Sequence, residues 1–167
     1  MRRSLLLLAV SLAALAYAWT AHGGDGAPAR DLRGRVVRIT DGDTIRVALA
    51  GRTERVRYIG IDTPEEVRPD TPVQCYARRA AAENARLVAG REVRLVLDVE
   101  HRDRFGRLLA YVYRDGDGLF VNAELVRSGF ARTLTIPPNV RYAARFAALA
   151  RQARRASRGL WSACASA

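Results

Sequence analysis

Three short stretches of the 167-residue chain carry side chains suited to splitting a phosphate ester. The first is Asp41-Gly42-Asp43-Thr44. The second runs Arg57-Tyr58-Ile59-Gly60-Ile61-Asp62-Thr63-Pro64-Glu65, and the third is Asp103-Arg104-Phe105-Gly106-Arg107. The carboxylates of Asp43, Asp62 and Glu65 are hard oxygen donors of the kind calcium takes. Arg57 and Arg107 carry permanent charge on planar forks that match phosphate oxygens. One metal ion with two guanidiniums is the surrounding that a pentacoordinate, doubly negative phosphorane requires. Each residue taken singly has a plainer reading. Asp-Gly is a common turn in which Asp41 shapes the hairpin, Asp62-Thr63-Pro64-Glu65 has the form of a local turn, and Arg57 beside Arg55 suits a surface ion pair. It is the set that points to chemistry. The only histidines are His22 and His101, so mechanisms built on paired histidines, or on histidine with lysine, cannot be assembled.

Elements able to hold these stretches can be read from patterning. Residues 33–39 and 44–49 are rich in Val and Ile and read as strands, with 40–43 as the turn between them. Ala50-Gly51 is a second turn, and 53–61 a third strand. Three prolines mark a loop over 62–72, and a helix follows with Thr71 as its cap, Pro72 in its first turn and Gly90 as its stop. Tyr76, Ala80, Asn84, Leu87 and Val88 share one face of that helix, with one polar interruption. Residues 92–99 and 108–113 are two more strands. The acidic run 115–118 reads as a hairpin turn rather than a metal loop. A short helix occupies 121–128, and Asn139 is placed to cap a last helix lined by Tyr142, Phe146, Leu149 and Ala153. The arginines around the opposite side of that helix read as a solvated face. The expected fold class is α+β, mainly β: a five-stranded OB-type barrel with three helices.

Composition adds context. Basic residues number 28 against 17 acidic, a net charge of +11, and every basic residue is arginine. A lysine-free chain is a mark of base composition in the genome, whereas the excess charge favours encounter with a polyanion. Arg2 and Arg3, then an apolar run over 5–16, then Ala16-Tyr17-Ala18 read as a signal peptide cleaved near Ala18. The run is short for a membrane span of ~20 residues, and an uncleaved anchor tethering the protein to the membrane is the alternative to a secreted or periplasmic protein. The expected organisation is a signal peptide over 1–18, a flexible lead-in over 19–32, one domain over 33–162 and a tail over 163–167. Export would let Cys75 and Cys164, the only cysteines, form a disulfide; two buried thiols are the other reading.

The three stretches, in order and with their spacing, resemble the active-site motifs of the staphylococcal nuclease family. The similarity runs from about Gly34 to Trp161 and includes 108–113, 121–126 and the closing Gly159-Leu160-Trp161. The resemblance implies a single calcium ion held by Asp43, Asp62 and the Thr63 carbonyl, with Asp41 beside them. It implies that Glu65 orients or deprotonates the attacking water, which the metal activates. Arg57 and Arg107 would stabilise the phosphorane, and Arg104 and Asp103 would border the substrate. The implied activity is hydrolysis of DNA and RNA, preferably single-stranded or frayed, to 3′-phosphate ends, by a monomer. The alternative is an exported nucleic-acid-binding module without catalysis. Two departures stand out. Leu134-Thr135-Ile136-Pro137 occupies the place where a well-known member presents two tyrosines, and Arg104 and Phe105 replace the commoner lysine and tyrosine.

Overall fold

The computed structural model describes residues 31–65 and 72–164. The signal-peptide reading of 1–18, most of the lead-in, the Thr71 cap and residues 165–167 lie outside the described residues. Strands β1 (Asp31–Ile39), β2 (Thr44–Leu49), β3 (Arg52–Tyr58), β5 (Glu92–Val96) and β6 (Leu108–Arg114) close a barrel in the order β1-β2-β3-β6-β5. Alternation decides which side of each strand faces inward: Ile45, Val47 and Leu49 of β2 are buried while Arg46 and Ala48 face out. Ala50 and Gly51 both take positive φ, 46° and 82°, so a two-residue turn joins β2 to β3 without disturbing their twist. All pairings are antiparallel except β3 with β6, which run parallel.

β1 starts at Asp31, two residues before the expected boundary, because Asp31 and Leu32 pair with Val96 and Leu95 and Leu32 packs on the core. The expected third strand stops at Tyr58. Gly60 has φ of 81°, and a Cβ there would lie 2.5 Å from the Phe146 ring. The chain therefore turns, and Ile61–Asp62 (β4) pairs instead with Arg132–Thr133 (β7) in a separate ribbon.

Helix α1 (Ala77–Val88) begins later than expected. Tyr76, at φ 74°, interrupts any helix started at Pro72, and residues 72–74 are not helical, with the Gln74 N–H bonded to the Glu65 carbonyl. Its buried face is Ala77, Ala80, Asn84, Leu87 and Val88. α2 (Val121–Arg127) and α3 (Ala143–Arg155) follow, and a one-turn α4 (Leu160–Ala163) adds to the three expected helices. Asn139 does not cap α3, whose N-cap is Tyr142; it is buried and exchanges two hydrogen bonds with the Glu100 backbone, at 2.8 and 2.7 Å. Phe146 packs against Tyr111 and Phe120 and seals one end of the barrel. Cys75 and Cys164 are joined by a disulfide that ties the residue after α4 to the start of α1. The described residues thus reach one residue past α4, into the stretch expected to be tail.

Candidate active site

The β1–β2 turn is built to present Asp43. The N–H groups of Thr40 and Asp41 both reach the Thr44 carbonyl, and the Asp43 N–H is received by Asp41 Oδ1 at 3.0 Å. A Cβ on Gly42 would lie 2.7 Å from Thr63 Oγ1 and 2.9 Å from the Ala80 methyl. Only glycine lets this turn lie flat against both the residue after β4 and helix α1. Asn84, the polar interruption on the helix face, donates to the Asp41 carbonyl and accepts the buried Tyr58 hydroxyl, each at 2.9 Å. Turn, strand and helix are thereby locked to one another.

Asp43 is 4% exposed and hydrogen-bonded through both of its oxygens. Its Oδ2 receives the Thr63 N–H at 2.8 Å and the Thr63 hydroxyl at 3.0 Å; its Oδ1 receives the Thr44 hydroxyl and faces Arg57 Nε at 3.2 Å. Arg57 is itself held on every side. Nη1 donates to the carbonyls of Tyr58 and Ile61, each at 2.8 Å, and Nη2 to Asp62 Oδ1 at 2.9 Å. Of the five guanidinium N–H groups, one on Nη2 is left for a phosphate oxygen. Burial pushes the Asp43 carboxyl up, and the neighbouring Asp41 and Asp62 add to this against the pull of Arg57, so that it reaches about 7. The pocket carries more negative charge than one arginine offsets.

Parallel pairing brings in the second arginine. Val56 is in register with Leu108 and Arg57 with Leu109, and Arg107, just before β6, lines the same cleft as Arg57. Asp103 shapes this entry. Its Oδ1 receives the N–H groups of Phe105 and Arg107, and its Oδ2 receives Arg107 Nε at 2.7 Å. Burial opposes the charge on Asp103, but these donors outweigh it and hold its carboxyl below the usual range. With Nε occupied, the two Nη groups of Arg107 have no acceptor among the described residues. Arg57 and Arg107 line a cleft of about 470 Å³ whose walls include Arg104, Phe105, Leu109, Leu134 and Ile136. The Phe105 ring lies under the guanidinium of Arg104 at 4.8 Å and under that of Arg107 at 5.5 Å. Leu134 and Ile136 give the cleft an aliphatic wall.

Asp41, Asp43, Arg57, Asp62 and Thr63 therefore form one interlocked group, while Asp103, Arg104 and Arg107 form a second across the cleft. Glu65 stands on the loop leaving β4, fixed by its backbone: its N–H donates to Gln74 Oε1 at 3.0 Å and its carbonyl accepts from the Gln74 N–H at 3.1 Å. Gln74 and Asn84 were not among the expected site residues. A lone amide on an otherwise apolar helix face was a usable signal for Asn84; Gln74 offered none.

The donors fit a hard divalent cation. Asp43 and Asp62 offer carboxylate oxygens, and a divalent charge would offset the crowding that raises Asp43. Among the described residues no three His, Cys, Asp or Glu side chains form a closed cage. Two carboxylates and a carbonyl suit an ion that completes its shell with water and phosphate oxygens.

Comparison with known proteins bears on this arrangement. The family model described as staphylococcal nuclease homologue matches residues 55–163. A thermonuclease of Staphylococcus intermedius is 38% identical over 162 residues, covering 93% of this chain and 94% of that protein. A thermonuclease of Staphylococcus hyicus is 41% identical over 128 residues, 77% of this chain and 75% of that one. Endonuclease YncB of Bacillus subtilis is 39% identical over 127 residues, 75% of this chain and 59% of its own length.

Proposed function

Because the chain belongs to the staphylococcal nuclease family, we propose that it is an exported, calcium-dependent nuclease that hydrolyses phosphodiester bonds of DNA and RNA. The observation that carries this reading is Arg57, clamped between Asp43 and Asp62 at the mouth of a cleft that Arg107 also lines. A module that merely binds strands gains nothing from carboxylates set beside a phosphate-binding arginine, because without a cation they weaken the hold on an anion.

The chain's own residues divide the work. Asp43 and Asp62, with the Thr63 carbonyl, would hold the calcium ion, which supplies Lewis-acid charge to a phosphate oxygen. Thr63 fixes the rotamer of Asp43, and Asp41 fixes the turn. Arg57 presents its remaining Nη2–H to a non-bridging phosphate oxygen. Arg107 approaches from the other wall, and its two free Nη groups meet negative charge as it grows on the phosphorane and on the leaving 5′ oxygen. The guanidiniums are already oriented by hydrogen bonds, so little reorganisation is needed when the charge develops. Glu65 would orient the attacking water or accept its proton, and Gln74 holds its backbone. Attack on phosphorus with loss of the 5′ oxygen leaves a 3′-phosphate. The aliphatic wall at Leu134 and Ile136 replaces ring stacking worth ~1–3 kcal/mol per base, which favours loose binding of single-stranded or frayed ends without base preference. The protein would act as a monomer.

Incubation of single-stranded DNA with the purified mature chain in calcium, in magnesium and in chelator tests this. Degradation in calcium that chelator abolishes supports the proposal; binding without cleavage in all three would replace it with the binding-module reading.

A further inference from the structure

A second basic concavity lies on the other side of β7 from the cleft. α3 places Ala147, Ala150, Arg151 and Arg154 at helical spacing on one face, and β7 contributes Arg132 and α4 Trp161 to a pocket of about 380 Å³. The alanines make a shallow floor and the arginines its rim. Arg154 lies over the Trp161 ring at 4.3 Å and Arg132 at 5.8 Å. A guanidinium stacked on an indole is held in place while its N–H edge stays open to an anion. The three arginines are exposed, and none has an acidic partner among the described residues. The indole Nε1–H of Trp161 is also buried without an acceptor among the described residues.

The location gives this pocket a purpose. Arg132 is the register partner of Asp62. Two residues on, Leu134 belongs to the wall of the active-site cleft, its N–H bonded to the Gly60 carbonyl. The segment 132–136 thus separates the two concavities, with the cleft at one end and the arginine pocket at the other. We propose that Arg132, Arg151 and Arg154, set against Trp161, form a second phosphate-binding site that grips the backbone of a single-stranded nucleic acid extending out of the active-site cleft. This deepens the nuclease reading and rests on it. It also supplies affinity beyond the cleft, whose wall at Leu134 and Ile136 is aliphatic.

The test is binding of a fluorescent single-stranded 20-mer and of a dinucleotide, both in chelator, by the wild-type mature chain and by the R132A/R151A double variant. R151E alone serves as a second variant in case the double change disturbs β7. Loss of two phosphate contacts should lower the salt slope of 20-mer binding by roughly 1.4, at ~0.7 per contact on single strands, and weaken its Kd about tenfold. The loss should be confined to the 20-mer. An unchanged 20-mer slope in both variants would overturn the proposal. So would an equal loss on the dinucleotide, which marks a structural defect. Displacement of the 20-mer's extra affinity by millimolar inorganic phosphate at constant ionic strength would make this a site for the free anion, and would overturn it too. Because binding is read in chelator, a wild-type protein that fails to cleave in calcium would count against the nuclease reading and leave this result standing.

Discussion

Thr63 donates both its backbone N–H and its hydroxyl to the same oxygen of Asp43, at 2.8 and 3.0 Å. The two residues lie 20 positions apart, one in the β1–β2 turn and one just after β4. The double contact makes the loop that leads to Glu65 dependent on the carboxylate that would hold the metal, and the reverse. Thr63→Val keeps the shape and the N–H but removes the hydroxyl. Changes that reorient a metal ligand typically cost 10- to 100-fold in affinity or activity. The calcium concentration for half-maximal cleavage should therefore rise by about tenfold, measured by titrating calcium into a fixed-time assay, while the melting temperature in chelator moves little.

Glu65→Gln retains the backbone bonds to Gln74 and loses only the ability to take a proton. Its kcat should fall by roughly 10²- to 10⁴-fold, the usual worth of a general base, with KM nearly unchanged. A variant that keeps wild-type kcat would remove Glu65 from the mechanism.

In the metal-free protein the contribution of Asp43 to stability should fall as pH rises. Asp43 is held up to about 7, chiefly by burial, against an ordinary value of 3.8. The folded state then binds a proton that the unfolded state has released, so the Asp43 contribution is full below about pH 4, declines between the two values and is lost above pH 7. Asp43→Asn carries no such charge. The wild-type melting temperature in chelator should fall relative to that of the variant between pH 5 and pH 8, and a constant difference would contradict the assignment.

Reduction should weaken both the fold and the site. The Cys75–Cys164 bond spans 89 residues, and closing a loop of that length is worth at most about 4–5 kcal/mol in the chain-entropy model. Cys75 follows Gln74, whose side chain and backbone hold Glu65. Reductant, or the double serine variant, should lower the melting temperature by several degrees and lower kcat with it. No shift in either would show that the bond stabilises nothing.

The barrel strands were legible because β2, β3 and β5 interleave Val, Ile or Leu with arginine, a pattern that depends only on the two-residue pleat, and because β6 is a run of Leu, Ala, Tyr and Val. The acidic and basic residues of the site were legible as a set for the same local reason: they cluster within short stretches. What escaped depends on contacts distant in sequence. Nothing local indicates that Tyr76 adopts a positive φ and delays α1, because the segment before it pairs back onto Glu65. Asn139 has the form of a helix cap, yet its amide is taken by the Glu100 backbone across the fold. The register of β3 on β6, which sets Arg57 and Arg107 in one cleft, arises only from closure of the barrel. The arginines of α3 read as a solvated face in one dimension; Arg132 and Trp161, brought in by β7 and α4, turn part of that face into a pocket.

The account turns on Arg57, and the most direct measurement compares wild type with Arg57→Ala for cleavage of single-stranded DNA in saturating calcium, with folding checked by circular dichroism. Loss of one preorganised donor to the developing charge costs about 10²- to 10³-fold, so the wild type should degrade the strand and the folded variant should be slower by at least that factor. A folded variant that cuts at the wild-type rate would contradict the account.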